Sequence, residues 1–181
     1  MKKTLLMLVA AMFCLVGLNG CGSDKDEPVA TATAHYEVTF SSDVREATET
    51  IVIFYKGDDN ENKIATLDRT QTSWTKDVTS TKASAEFGYR IVVSAKDVSE
   101  LTKDSYDFSA TGSIKIVRGN NEMNNMLAYY YKQENNASVS ESVAKADVSR
   151  KLVANLNKAV GYTVNREGAS TRNDGLNFGN N

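Results

Sequence analysis

The chain has 181 residues, 21 Lys and Arg against 23 Asp and Glu, one His and two Cys. A balance this close to neutral lacks the basic surface that displaces counterions from nucleic acid. One His and two Cys cannot supply the four N or S ligands of a zinc finger or ribbon. With 41% hydrophobic and 24% charged residues, the composition is that of a globular domain.

The chain opens with Lys2 and Lys3, then the charge-free run Leu5 to Leu18 (LLMLVAAMFCLVGL). A helix needs ~20 apolar residues to span a bilayer. This run is shorter and has the flanks of a signal-peptide h-region, so residues 1–20 are read as a cleaved signal. Leu18-Asn19-Gly20-Cys21 follows. It resembles the bacterial lipobox, with Leu at −3, a small residue at −1 and Cys at +1; Asn19 departs from the usual small or β-branched residue. The resemblance implies cleavage between Gly20 and Cys21 and lipidation of Cys21, palmitate included. A thiolate suits that alkylation because it outcompetes a hydroxyl as nucleophile at neutral pH. Each buried CH₂ contributes ~0.8 kcal/mol, and one chain holds only marginally, so two or three are needed for lasting attachment. Cys14 leaves with the signal.

Gly22-Ser23-Asp24-Lys25-Asp26-Glu27-Pro28 comes next. An acidic run directly after the lipid Cys is similar to the surface-export signal of Bacteroidota lipoproteins, carried here by Ser23, Asp24, Asp26 and Glu27. It implies an outer-membrane, surface-exposed location, with the membrane as partner through the anchor. Residues 21–34 are small and polar and read as a tether. Residues 22–34 would reach about 43 Å when extended.

From His35 the period becomes two. Tyr36, Val38 and Phe40 share one face. Strands are predicted over 35–40, 48–55, 63–67, 70–78, 85–95, 106–117 (with a bend near Gly112) and 126–131. The stretch 56–62 reads as a polar turn. Ser138 and Glu141 fit a capping box, and Ala144, Val148, Leu152, Leu156 and Ala159 recur at helical spacing. Lys158 and Gly161 read as stop signals. An amphipathic helix is therefore predicted over about 140–160, with a last short strand at 161–165. Residues 166–181 have few apolar anchors beyond Leu176 and Phe178 and are expected to form a disordered tail. Seven short strands without alternating helices predict a mainly β domain over 35–165: a single β-sandwich of immunoglobulin or transthyretin type with one C-terminal helix. A lipocalin-like barrel is the alternative.

Candidate chemistry is sparse. His35, the sole histidine, starts a strand beside a flexible tether, a poor mount for a catalytic base. Asp58, Asn60 and Asn62 match positions 1, 3 and 5 of a calcium loop, but Lys63 and Arg69 stand where Gly and Glu belong. No phosphate-loop or dinucleotide motif occurs. No catalytic residue, cofactor or metal site is assigned. Trp74 lies among Thr and Ser. Tyr129, Tyr130 and Tyr131 are consecutive, so on a regular strand they cannot all point inward. Trp74 and Tyr130 are the candidate ligand-binding rings; a core role is the plainer reading. The expectation is a non-enzymatic binding or envelope-complex module on the cell surface, with an envelope protein or glycan as partner. The alternatives are a glycan-binding accessory protein of an outer-membrane sugar importer and a fimbrillin-like pilus subunit.

Overall fold

A computed structural model describes residues 28–179 except 136. The expected signal, lipidation site Cys21 and acidic run Ser23–Glu27 lie outside the described residues. In chain order the elements are β1 (Ala32–Phe40), α1 (Ser42–Ala47), β2 (Thr48–Lys56), β3 (Asn62–Thr66), β4 (Ser73–Ser80), β5 (Ala85–Ala95), β6 (Ser105–Phe108), β7 (Ala110–Arg118), β8 (Asn121–Tyr130), β9 (Lys132–Glu134), β10 (Ala137–Val139), β11 (Glu141–Ala144), α2 (Val148–Leu156), β12 (Ala159–Val164) and β13 (Ser170–Arg172).

A four-stranded antiparallel sheet, β4-β1-β7-β8, faces a five-stranded one, β13-β12-β5-β2-β3. Two short ribbons, β11-β6 and β10-β9, complete the strands. The sheets pack as a sandwich and do not close, which removes the barrel alternative. Alternate residues of β1, β5 and β7 point between the sheets: Tyr36, Val38, Phe87, Tyr89, Ile91 and Ile114 are all fully buried. Burying one such side chain contributes about 1.5–3 kcal/mol, so this inward row holds the two layers together.

Four expectations are corrected. The first strand starts at Ala32 and pairs on both sides, Ala32 with Ser80 and with Arg118. Residues 32–34 therefore belong to a central strand and not to the tether; Ala32 and Ala34 face inward because the period of two already runs through them. The run 106–117 breaks at Ser109 and not at Gly112. Its halves serve different partners, β6 pairing with β11 and β7 with β1. Gly112 instead makes room: a Cβ there would collide with the Tyr89 hydroxyl, which bonds the Tyr129 hydroxyl at 2.9 Å.

The helix is shorter than expected. Residues 141–144 are strand, a 3₁₀ turn covers Lys145–Asp147, and α2 holds only Val148–Leu156. Glu141 pairs with Lys151 instead of capping a helix, and Val143 packs with β6. Val148, Leu152 and Leu156 form the buried stripe, as the helical spacing predicts, and α2 packs on β5 and β8. It ends where the Asn157 side chain accepts the Val93 N–H at 2.8 Å, and Ala159 then enters β12. The tail, finally, is ordered: β13 pairs with β12, and Leu176 and Phe178 are buried.

α1 was not expected. Ser41 caps it by accepting the Val44 N–H at 3.3 Å. Asp43 in its first turn accepts the Asp107 N–H and the Lys103 ammonium, each at 2.7 Å, tying α1 to β6. Burial pushes the Asp43 pKa up, but Lys103 and the Asp107 N–H outweigh it and hold the carboxyl below the usual range. A depressed carboxylate stabilises the fold above its unfolded pKa and loses that contribution as pH falls through the folded value. Asp43→Asn is thus expected to cost about 1 kcal/mol at neutral pH and nothing once the wild-type carboxyl is protonated. Denaturant melts of the two proteins across the acid limb would converge; curves that stay parallel would contradict this.

Candidate functional face

Trp74 and Tyr130 turn inward. Trp74 is 8% exposed and stacks on Tyr36, with centroids 6.0 Å apart at 13°, while Tyr55 of the opposite sheet lies 5.2 Å away. Tyr130 is 1% exposed, against Phe108 at 4.9 Å. The exposed ring pair that a glycan platform would draw from them is therefore absent. Tyr129 and Tyr130 are both buried, which a regular strand forbids. A bulge resolves it: Ala110 pairs with Tyr130 and Thr111 with Ala128, so Tyr129 keeps the inward phase of Leu127 and the extra residue brings Tyr130 to the same side. Tyr131 is the ring that faces water.

Asp58, Asp59 and Asn60 form a 3₁₀ turn whose oxygens are spent on the neighbouring loop. Asp58 accepts the Thr79 N–H and Asp59 the Thr81 N–H, each at 2.7 Å; Asn60 accepts the Glu86 N–H at 2.9 Å. The Thr81 N–H and then its hydroxyl hold the Asp59 pKa below its usual value. The calcium-like spacing is therefore a pin between the β2–β3 and β4–β5 connections. His35 sits on the outer face of the four-stranded sheet, its Nδ1 2.7 Å from Asp77 across the strand pair. Among the described residues no group of three or more His, Cys, Asp or Glu could hold a metal ion.

The outer face of the five-stranded sheet is more distinctive. The register pairs Gly161 with Gly88 across β12 and β5, and Lys56 with Asn62 across β2 and β3; Gly88 and Lys56 each stand one residue beyond the Tyr89–Tyr55 pair, so the four share a row. The C-terminal segment lies along it as a strap. The Asn173 N–H bonds the Gly161 carbonyl at 2.8 Å, Leu176 sits over Gly161 and Gly88, and Gly179 lies against Asn62. Only glycine fits beneath, because a Cβ on Gly161 would collide with the Leu176 side chain. Lys56, 5% exposed in the same row, is paired with Glu86 at 2.8 Å.

The next row, Ile64, Phe54, Arg90 and Ala159, is only partly covered: Phe54, Arg90 and Ala159 are half-buried and Ile64 is exposed. Ile64 is 61% exposed, and the Arg90 guanidinium lies 4.9 Å from the Phe54 ring centre, a cation–π contact. Phe54, Arg90, Ile91, Val92 and Asn157 line a groove of about 380 Å³ beside the end of α2. An apolar floor with one fixed cation suits contact with another protein, where aromatic and Arg side chains concentrate binding energy. Period-two reading missed this face because 51–55 is apolar at every position. Such a run looks like a strand buried on both sides. No family model, curated protein or solved structure matches the chain.

Proposed function

We propose that this chain is an outer-membrane surface lipoprotein whose sandwich acts as a non-enzymatic binding or envelope-complex module. The observation that carries the binding role is the exposed Ile64 beside the half-buried Phe54–Arg90 cation–π pair, in the row next to the C-terminal strap. Anchoring rests on Leu18-Asn19-Gly20-Cys21 after a charge-free run, followed by the acidic residues that resemble an export signal. The partner is an envelope protein contacting the groove. The glycan reading loses support because Trp74 and Tyr130 are core residues.

Both halves are tested together in cells. Cys21→Ser should abolish palmitate uptake and release the protein from the membrane fraction, and proteinase added to intact cells should remove the domain. Ile64→Asp should leave lipidation intact yet cut recovery of the partner from intact envelopes about tenfold, the effect of losing ~1.4 kcal/mol of contact. Palmitate labelling that survives Cys21→Ser refutes the anchor; equal recovery with Ile64→Asp refutes the face.

A further inference from the structure

β8 is an edge strand of ten residues, and its outer side carries no strand among the described residues. Edges of this length are ordinarily guarded by Lys, Pro, brevity or a bulge. The other edges follow that rule: β3 has five residues and Lys63, β13 has three, and β4 carries Lys76. Between Asn121 and Ala128, β8 has neither Lys nor Pro, and Met126 is 75% exposed. In its middle, the Asn125 side-chain nitrogen is buried with no hydrogen-bond partner. Leaving such a group unpaired costs about 1–3 kcal/mol.

The ends of the strand are occupied. Asn121 Nδ2 donates to the Glu167 carbonyl at 2.7 Å, and Tyr130 lies beside α2 at Asn155. The bulge at Tyr129 breaks regular pairing there. This leaves 122–128 open, and its midpoint is Asn125.

We infer that β8 is the interface to a second copy of this chain, paired antiparallel about a two-fold axis at Asn125. An axis perpendicular to the sheet maps inward residues onto inward residues, so it must pass through a residue and not between two. Centred on Asn125, the two side chains stand opposite each other; turning each amide from its covered position toward the axis lets each Nδ2 donate to the other's Oδ1 and gain the partner it lacks. Met123 then faces Leu127 of the second copy on the core side, both of them partly buried and packed on the hydrophobic core. Outside, Asn124 faces Met126, and Glu122 faces Ala128. Centring on Asn124 or Met126 would set Asn125 against Met123 or Leu127 and leave the amide unpaired. The pairing joins two four-stranded sheets into one continuous layer, an isologous contact that closes on itself.

Sedimentation equilibrium of the full chain in detergent should show a monomer–dimer equilibrium whether or not the chain carries lipid. Single cysteines introduced along 122–128 and oxidised should cross-link most at Asn125→Cys, the position opposite itself. Asn125→Lys places two like charges on the axis and should weaken the dimer at least about 100-fold, with a circular-dichroism melt that matches the wild type at concentrations where both are monomeric. A chain that stays monomeric to about 1 mM, or a dimer whose cross-linking maximum lies at another position, overturns the inference. The cysteine series decides it even if the lysine variant does not fold.

Discussion

Arg118→Met is expected to destabilise the domain by about 3–5 kcal/mol, the scale of stranding several buried carbonyls at about 1–3 kcal/mol each. Arg118 ends β7 and is 2% exposed. Among the described residues its hydrogen bonds go to carbonyls and not to a carboxylate. Nη1 donates to Ala83, Val164 and Asn165 at 3.0, 3.3 and 2.7 Å, and Nη2 to Lys82 at 2.5 Å. These acceptors lie on the β4–β5 connection and at the end of β12, so one side chain of the four-stranded sheet pins the edge of the other. Burial lowers the guanidinium pKa, yet arginine stays charged at any working pH. Methionine fills much of the volume but offers no donor, and each carbonyl stranded in the interior is costly. Arg118→Lys should fall between, because an ammonium has donors but not the planar fork. Urea unfolding midpoints check the order wild type, Lys, Met. A methionine variant as stable as the wild type would show that the carbonyls find water instead.

Trp74→Ala should cost a similar amount, about 3–5 kcal/mol, through the cavity left among aromatic rings. Trp74 bridges the layers, touching Tyr36 on its own sheet and Tyr55 and Tyr89 on the other. The Tyr36 hydroxyl then donates to the Lys56 carbonyl at 2.9 Å and accepts the Gly88 N–H at 3.1 Å. Losing the indole therefore loosens the ring that fastens β1 to β2 and β5. Trp74→Phe keeps most of the buried area and should lose less than half as much. Because Trp74 is the chain's one tryptophan, wild-type fluorescence should be that of a buried indole and should shift red on unfolding. Any loss of ligand binding in Trp74→Ala would follow from unfolding, and Trp74→Phe separates the two effects. An alanine variant with an unchanged melting temperature would place the ring outside the core.

The surviving sequence expectations are the local ones. Alternation marked β5 at 85–95 to the residue, the polar run 56–62 marked the turn after β2, and the spacing of Val148, Leu152 and Leu156 marked the buried stripe of α2. Each depends on neighbours a few positions apart, where period and turn chemistry are written directly in the residue order. The segment Leu18–Cys21 proposed as a lipobox and the acidic residues after it are also contiguous, so that proposal is made from the residue order alone.

What only the tertiary structure decided depends on pairing across long separations. Glu141 could cap a helix or pair with Lys151; β6 alongside β11 selects the second. Gly161 could stop a helix or floor a trough. Its register with Gly88, and the Leu176 side chain above both, selects the trough and turns an expected loose tail into a strap. Three successive tyrosines cannot be assigned by alternation, because one bulge opposite Ala110 reverses the phase. The exposed Ile64 beside the half-buried Phe54–Arg90 pair, and the open edge of β8, exist only because of what the strap and the neighbouring strands leave uncovered. Side-chain period is a property of the local backbone. Which face is covered is set by contacts between residues distant in the chain, whose energies no short window contains.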